Sequence, residues 1–142
     1  MIKVENIKNY RIDGNKEIGI YVGRYNRSYG LEGSILRNRF DEKTYGRSGC
    51  IKAFKKWLWV EIKRRNKEVM KELERIRRIE EEGRFDVVLL CWCKPFACHG
   101  DVIKSCIEWM IKDETWFEFM DRAKENGISP TRQEEIDREK GL

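Results

Sequence analysis

The chain has a single histidine, His99, two prolines and one glutamine among its 142 residues. It also lacks a long apolar run, since nothing approaches the roughly 20 consecutive apolar residues that a membrane-spanning helix needs. The first residues alternate between apolar and charged and are unlike the continuous apolar core of a secretory signal peptide. We therefore predict a soluble, cytoplasmic protein with no membrane partner.

Neither sign of charge dominates, because 30 Lys and Arg stand against 25 Asp and Glu, for a formal net charge of +5. A nucleic-acid-binding protein usually concentrates its positive charge in a patch, so the composition gives that partner little support. The clearest basic cluster is predicted to be a solvated helix face, with a phosphate-binding surface as the alternative: Lys52, Lys55, Lys56, Lys63, Arg64, Arg65 and Lys67. The abundance of Lys, Arg and Glu is also typical of hyperthermophile proteins.

The length predicts one domain over residues 1–142, with a polar and frayed tail from about residue 130. Five cysteines in a cytoplasmic chain favour metal binding or thiol chemistry over a disulfide framework. Thr115 and Ser129 each predict the start of a further helix near the C-terminus.

Three apolar segments predict strands: the alternating first residues, Ile18–Arg24 and Phe85–Trp92. The last is a continuous apolar run, which indicates burial on both faces at the centre of a parallel sheet. Residues 25–49 show no periodicity and predict a long loop, and long ordered loops are usually functional.

Helical spacing of apolar residues runs from Ile51 to Glu82, with a break expected near Asn66 and a stop at Gly83. A second amphipathic helix is predicted over Gly100–Ile111. The order of strands and helices predicts an α/β fold, a small Rossmann-like open sheet that is mostly parallel and flanked by helices. Ligands bind such sheets at the carboxyl ends of their strands.

The loop between the central strand and its helix holds four side chains suited to metal or thiol chemistry: Cys91, Cys93, Cys98 and His99. Three interpretations compete. In the first, all four bind zinc as a structural site, although zinc sites usually take their ligands from two separate segments.

In the second interpretation, Cys98 is a catalytic thiol activated by the helix N-terminus, with His99 and Asp101 as acid–base partners. In the third, the helix start at His99, Gly100 and Asp101 binds a phosphate or another anion, and Cys91 only packs. Whether the chain is an enzyme stays open at this point.

Cys91-Trp-Cys-Lys-Pro-Phe-Ala-Cys-His-Gly-Asp-Val102 resembles the C-W-C-x-P-x-x-C-H-G-D-V/I signature of an uncharacterised domain-of-unknown-function family of small proteins from phages, archaeal viruses, plasmids and prokaryotes. Three upstream segments resemble the same family in order: Tyr21-Val-Gly-Arg24, Gly33–Phe40 and Phe54–Leu58. Where the family has Gly and Pro, this chain has Arg37 and Arg39, which would reshape the pocket or add contacts to an anion. A more distant likeness to another uncharacterised α/β family supports the Rossmann-like fold by analogy.

Arg24 follows a strand, so we expect Arg24, Ser34 and Asn38 to face the start of the helix across one cleft. Trp92 and Gly100 complete the predicted binding residues. The predicted ligand is an anionic small molecule of the nucleotide or nucleoside class. The alternative function, which also fits a viral chain in host cytoplasm, is a zinc-stabilised interaction or nucleic-acid-binding protein of a virus or mobile element.

Overall fold

A computed structural model describes residues 1–112 together with the single positions Gly127 and Glu139. The helix starts predicted at Thr115 and Ser129, and the tail predicted from about residue 130, lie outside the described residues.

The described residues form a three-stranded open sheet in which every strand pair is parallel. Strands β1 (Lys3–Asn6) and β2 (Glu17–Tyr21) flank β3 (Asp86–Cys91) in the order β1-β3-β2. The apolar run in β3 places it at the centre, and Val87 to Cys91 are all buried, as the sequence predicted. The fold is therefore mixed α/β with a small parallel sheet.

Three α-helices are described: α1 (Glu42–Lys63), α2 (Lys67–Glu82) and α3 (His99–Lys112). The predicted break is confirmed, because the side chain of Asn66 accepts hydrogen bonds from the N–H groups at the start of α2. The predicted stop is confirmed as well, since Gly83 ends α2 in the left-handed conformation. None of the described helices has the length and apolar character needed to cross a membrane.

Helix α1 begins earlier than its apolar periodicity indicated, inside the predicted long loop. Asp41 caps it, and its first turn is polar. Gly46 (φ 72°, ψ 166°) then interrupts the helical backbone before the apolar face starts. A polar turn followed by a kink leaves no helical period in the sequence, which is why the start was placed too late.

The two faces of the sheet are covered differently. Val87, Leu89 and Cys91 pack with the buried faces of the three helices in the main core. On the opposite face, Leu90 and Ile12 close over Gly19, so the segment between β1 and β2 covers the sheet there. This arrangement leaves the carboxyl ends of β2 and β3 open to a cleft.

Candidate functional site

A cleft of about 700 Å³ lies where β2 and β3 end. The β3–α3 loop forms one wall, and the segment after β2 with the start of α1 forms the other. Residues from both walls line it, among them Arg24, Asn38, Arg47, Cys91, Trp92, Cys93, Cys98 and His99. The expected meeting of Arg24 with the start of α3 across one cleft is thus present in the structure.

Three thiols form the inner wall of this cleft. Cys91 and Cys98 are each 1% exposed, whereas Cys93 is half-buried and reachable from the cleft. Hydrogen bonding with Cys98, assisted by the N–H groups of Lys94 and Cys93, lowers the pKa of Cys91 to about 6 despite its burial. The same contact with Cys98 lowers the pKa of Cys93, and the pKa of Cys98 is raised in return. The titrations of the three thiols are therefore coupled through Cys98.

Cys98 also caps α3. Its sulfur accepts a hydrogen bond from the N–H of Gly100 at 3.3 Å, and its own N–H donates to Asp101 Oδ2 at 3.1 Å. This is a capping box in which Cys replaces the usual Ser or Thr. Lys94 Nζ lies 2.6 Å from Asp101 Oδ1. Asp101 lies outside the cleft wall, so its contacts are with its own loop and not with the cleft that we expected it to serve.

His99 is buried and held in one orientation. Its Nε2 lies 2.7 Å from the carbonyl oxygen of Val22, which can only accept, so Nε2 carries the proton. The Nδ1 atom is then an acceptor, and it lies 3.6 Å from the sulfur of Cys98. Burial lowers the pKa of His99, so the imidazole is neutral at pH 7. His99 therefore joins the start of α3 to the end of β2 and presents a base to a thiol.

The other predicted binding residues divide into two groups. Arg24, Asn38 and Trp92 line the cleft. Arg24 Nε donates to the Asn38 carbonyl at 2.8 Å, and Trp92 Nε1 donates to Tyr21 Oη at 2.8 Å. The amide of Asn38 binds its own loop through the N–H of Phe40. These contacts shape the wall and leave the ring and cationic groups at the cleft surface.

Ser34 and Gly100 lie outside the cleft wall. The hydroxyl of Ser34 accepts from the N–H of Leu36 and so stabilises a turn. A Cβ atom on Gly100 would lie 2.7 Å from Val4 Cγ1, which shows that this glycine permits close approach of α3 to β1. The close approach that we expected toward a ligand is instead an approach between two elements of the fold.

Arg37 and Arg39, which were expected to reshape the pocket or to contact an anion, also lie outside the cleft. The guanidinium of Arg39 stacks 4.1 Å from the ring centre of Trp57 and donates to the Ile35 carbonyl. Arg37 donates to the Ser34 carbonyl at 3.0 Å. Both side chains therefore hold the loop itself, and the structure gives them no contact with the cleft.

Arg47 is a cleft residue that sequence reasoning missed, as are Tyr25 and Lys43. The Nη2 atom of Arg47 lies 3.2 Å from Glu42 Oε1, and its guanidinium lies 4.3 Å from the ring centre of Phe96. Its Nη1 is buried without any hydrogen-bond acceptor from the described residues. The signal that could have found it is the Asp41-Glu42 pair, a helix start that would have placed Arg47 in the second turn of α1.

Within residues 1–112, no group of three or more Cys, His, Asp or Glu side chains is arranged to hold a metal ion. Cys91, Cys93, Cys98 and His99 do come together at one wall. Nε2 of His99 faces the Val22 carbonyl, and Nδ1 faces the Cys98 sulfur at 3.6 Å. The four residues predicted as zinc ligands are therefore adjacent, but the described residues do not form a complete ligand set.

Comparison with protein families gives one match. Residues 6–109 match the model of the family described as Domain of unknown function (DUF4326). The matched range includes all three strands' carboxyl ends and both walls of the cleft. No curated protein and no solved structure matches the chain.

Proposed function

The chain belongs to the family that carries the domain of unknown function DUF4326, and we propose that its cleft binds an anionic small molecule of the nucleotide or nucleoside class. The protein is, on this proposal, a small-ligand protein on a compact Rossmann-like fold. Its binding site is the cleft at the carboxyl ends of β2 and β3, the edge at which open α/β sheets bind ligands.

The observation that carries this proposal is the state of Arg47. A buried guanidinium N–H without an acceptor costs free energy, and native proteins rarely retain one without a reason. Arg47 lines the cleft, and its planar fork suits the paired oxygens of a phosphate or carboxylate. Arg24 and Lys43 line the same cleft and add positive charge. The side chain of Arg47 is 39% exposed, so an anion in the cleft can pair with its guanidinium group.

The size and the aromatic lining of the cleft support the nucleotide class. A volume of about 700 Å³ lies within the usual range for small-molecule sites. Tyr25 lines the cleft with 63% of its surface exposed, and the half-buried Trp92, which follows β3, lines it too. Exposed aromatic rings stack well on nucleobases. The cleft thus combines a surface for a base with cations for its phosphate.

Titration calorimetry against AMP, ADP, NAD and the matching nucleosides tests this proposal. We expect a nucleotide to bind, and Arg47→Met to weaken its affinity by about tenfold to a hundredfold, the worth of a charge-assisted hydrogen bond. Arg11→Met removes the same charge from an exposed position far from the cleft and serves as the control. The proposal is wrong if no nucleotide binds, or if the two variants weaken binding equally.

The second candidate is a zinc-stabilised interaction or nucleic-acid-binding protein of a virus or mobile element. Its support is the exposed lysine face of α1, formed by Lys52, Lys55 and Lys56, beside a wall rich in thiols. Elemental analysis of the purified protein, before and after chelation, tests the zinc. Binding to an oligonucleotide that weakens steeply with salt would favour the nucleic-acid partner. If the purified protein contains no zinc and does not bind oligonucleotides, this second candidate function is wrong.

A further inference from the structure

We propose that Cys93 and Cys98 form a thiol–disulfide exchange pair that reduces small disulfides entering the cleft. This activity goes beyond ligand binding and does not depend on it. The observation behind it is the meeting of three thiols and a neutral imidazole at one wall of an open cleft, with Arg47 on the facing wall. Capping α3 requires only the Cys98 thiol. A purely structural role therefore does not explain the other two thiols at this wall.

The two cysteines differ in access, and this difference assigns their roles. Cys93 is half-buried and lines the cleft, so a small disulfide can reach its sulfur. Cys98 is 1% exposed, and its thiol hydrogen-bonds the Cys93 thiol. Cys93 is therefore the attacking thiol, and Cys98 is the thiol that resolves the mixed disulfide.

Hydrogen bonding with Cys98 is the main influence that favours the Cys93 thiolate. Arg47 favours it as well, whereas burial and the charges of Cys91 and Glu42 oppose it. The charge of Lys94 favours the thiolate of Cys91. Thiolates of this kind attack disulfides faster than protonated thiols do.

His99 is placed to take the proton of Cys98. Its Nδ1 is a free acceptor 3.6 Å from the Cys98 sulfur, and the Val22 carbonyl fixes the ring through Nε2. The loop that carries the pair is anchored as well, because Asn6 Nδ2 donates to the carbonyls of Trp92 and Lys94, each at 3.0 Å. The base and the loop are thus positioned before any substrate arrives.

The reaction balances in two displacements. The Cys93 thiolate attacks one sulfur of the small disulfide, the S–S bond breaks, and the first small thiolate leaves and takes a proton from water. Cys98 then passes its proton to His99 and attacks the Cys93 sulfur, which releases the second small thiolate. That thiolate takes the proton from His99. The substrate is reduced to two thiols, and the protein is oxidised by the loss of two hydrogens.

The remaining cysteines are not placed for this reaction. The sulfur of Cys91 lies 3.6 Å from the Glu5 carbonyl at the buried end of β3. The thiol of Cys50 donates to the Arg47 carbonyl at 3.1 Å. Burial raises the pKa of Cys106 to about 12, so it stays protonated. These three thiols should remain reduced.

Hydroxyethyl disulfide and mass spectrometry of the intact chain test the proposal. We expect the wild type to lose two hydrogens while two mercaptoethanol molecules form. Cys98→Ser should instead accumulate one mercaptoethanol adduct on Cys93, because the resolving thiol is missing and serine preserves the cap of α3. Cys93→Ser should neither gain an adduct nor lose hydrogens.

Cys106→Ser is the matched control, and it should still form the disulfide. Fragmentation of the tryptic peptide that holds Cys91, Cys93 and Cys98 locates the bond, and circular dichroism checks that each variant is folded. A bond that forms in Cys93→Ser would assign the pair to Cys91 and Cys98 and overturn the proposal. A wild type that keeps all its hydrogens would overturn it too, independently of any variant.

Discussion

Cys98 is engaged through both its backbone and its side chain at the start of α3. Its N–H binds Asp101, its sulfur binds the N–H of Gly100, and its thiol contacts Cys91 and Cys93. Cys98 therefore caps α3 and also hydrogen-bonds the thiols of Cys91 and Cys93. A single substitution here should change both the helix start and the acidity of the cluster.

The first prediction concerns that acidity. We expect one thiol of the cluster to ionise with a midpoint near pH 6, seen as thiolate absorbance in the ultraviolet, whereas an ordinary cysteine titrates near about pH 8.5. Cys98→Ala removes the hydrogen bond that lowers the pKa of Cys91, so the midpoint should move upward. Cys106→Ala is the control and should leave it unchanged. A wild type whose first thiolate appears only above pH 8 would contradict the prediction.

The same shift has a consequence for stability. The folded pKa of Cys91 lies below the unfolded one, so between about pH 6 and pH 8.5 the unfolded chain holds more protons. The free energy of unfolding should therefore rise with pH across this window and fall as the pH drops toward 6. His99, whose pKa burial lowers, acts in the same direction near its own pKa. Denaturant titrations of wild type and Cys91→Ala at several pH values measure how much of the pH dependence of the free energy of unfolding comes from Cys91.

At the scale of elements, the contact between α3 and β1 depends on the absence of a side chain at Gly100. A Cβ there would lie 2.7 Å from Val4 Cγ1, well inside van der Waals contact. We expect Gly100→Ala to lower the free energy of unfolding by about 1–3 kcal/mol, as overpacking does. Val4→Ala removes the clashing methyl groups, so the double variant should recover part of the loss. Equal losses with and without Val4 would show that the clash is not the cause.

Glu17 joins the elements on the other face of the sheet. Its carboxylate accepts from the N–H of Asp13, from Tyr10 Oη at 2.7 Å and from Lys3 Nζ at 3.1 Å. The N–H of Asp13 and the Tyr10 hydroxyl are the main reasons that its pKa falls to about 2. These bonds tie the segment that covers the second face to both β1 and β2.

The acid limb of the stability curve tests this role of Glu17. A carboxylate whose pKa is lowered by folding contributes its full stabilisation at pH values above its pKa in the unfolded chain, about 4.3. That stabilisation is lost as the pH falls toward the folded pKa of about 2. Glu17→Gln should therefore unfold at lower denaturant concentration at pH 7 and show a flatter dependence between pH 4.5 and 2. Glu5→Gln on β1 is the control. The prediction fails if both variants keep the wild-type slope.

At the scale of the whole molecule, the sequence predicted what local patterns encode. The apolar run of β3, the break near Asn66 and the stop at Gly83 each depend on neighbouring residues, and all three are confirmed. The contacts of Gly100 with Val4 and of His99 with Val22 join residues far apart in sequence, and no periodicity reports them. Arg47 was missed for a related reason, since a polar turn and the Gly46 kink hide the start of its helix.

We predict that the chain unfolds in one cooperative transition, as expected of the single domain that the sequence indicates. Val69, Leu73 and Ile76 from α2 share one core with the buried faces of α1, α3 and β3. We therefore expect far-ultraviolet circular dichroism, which reports the helices, and tryptophan fluorescence, which includes Trp92 at the cleft, to give one coincident transition in denaturant. A reducing agent keeps all five cysteines as thiols during the measurement. Two separated transitions would show that the chain contains more than one cooperative unit.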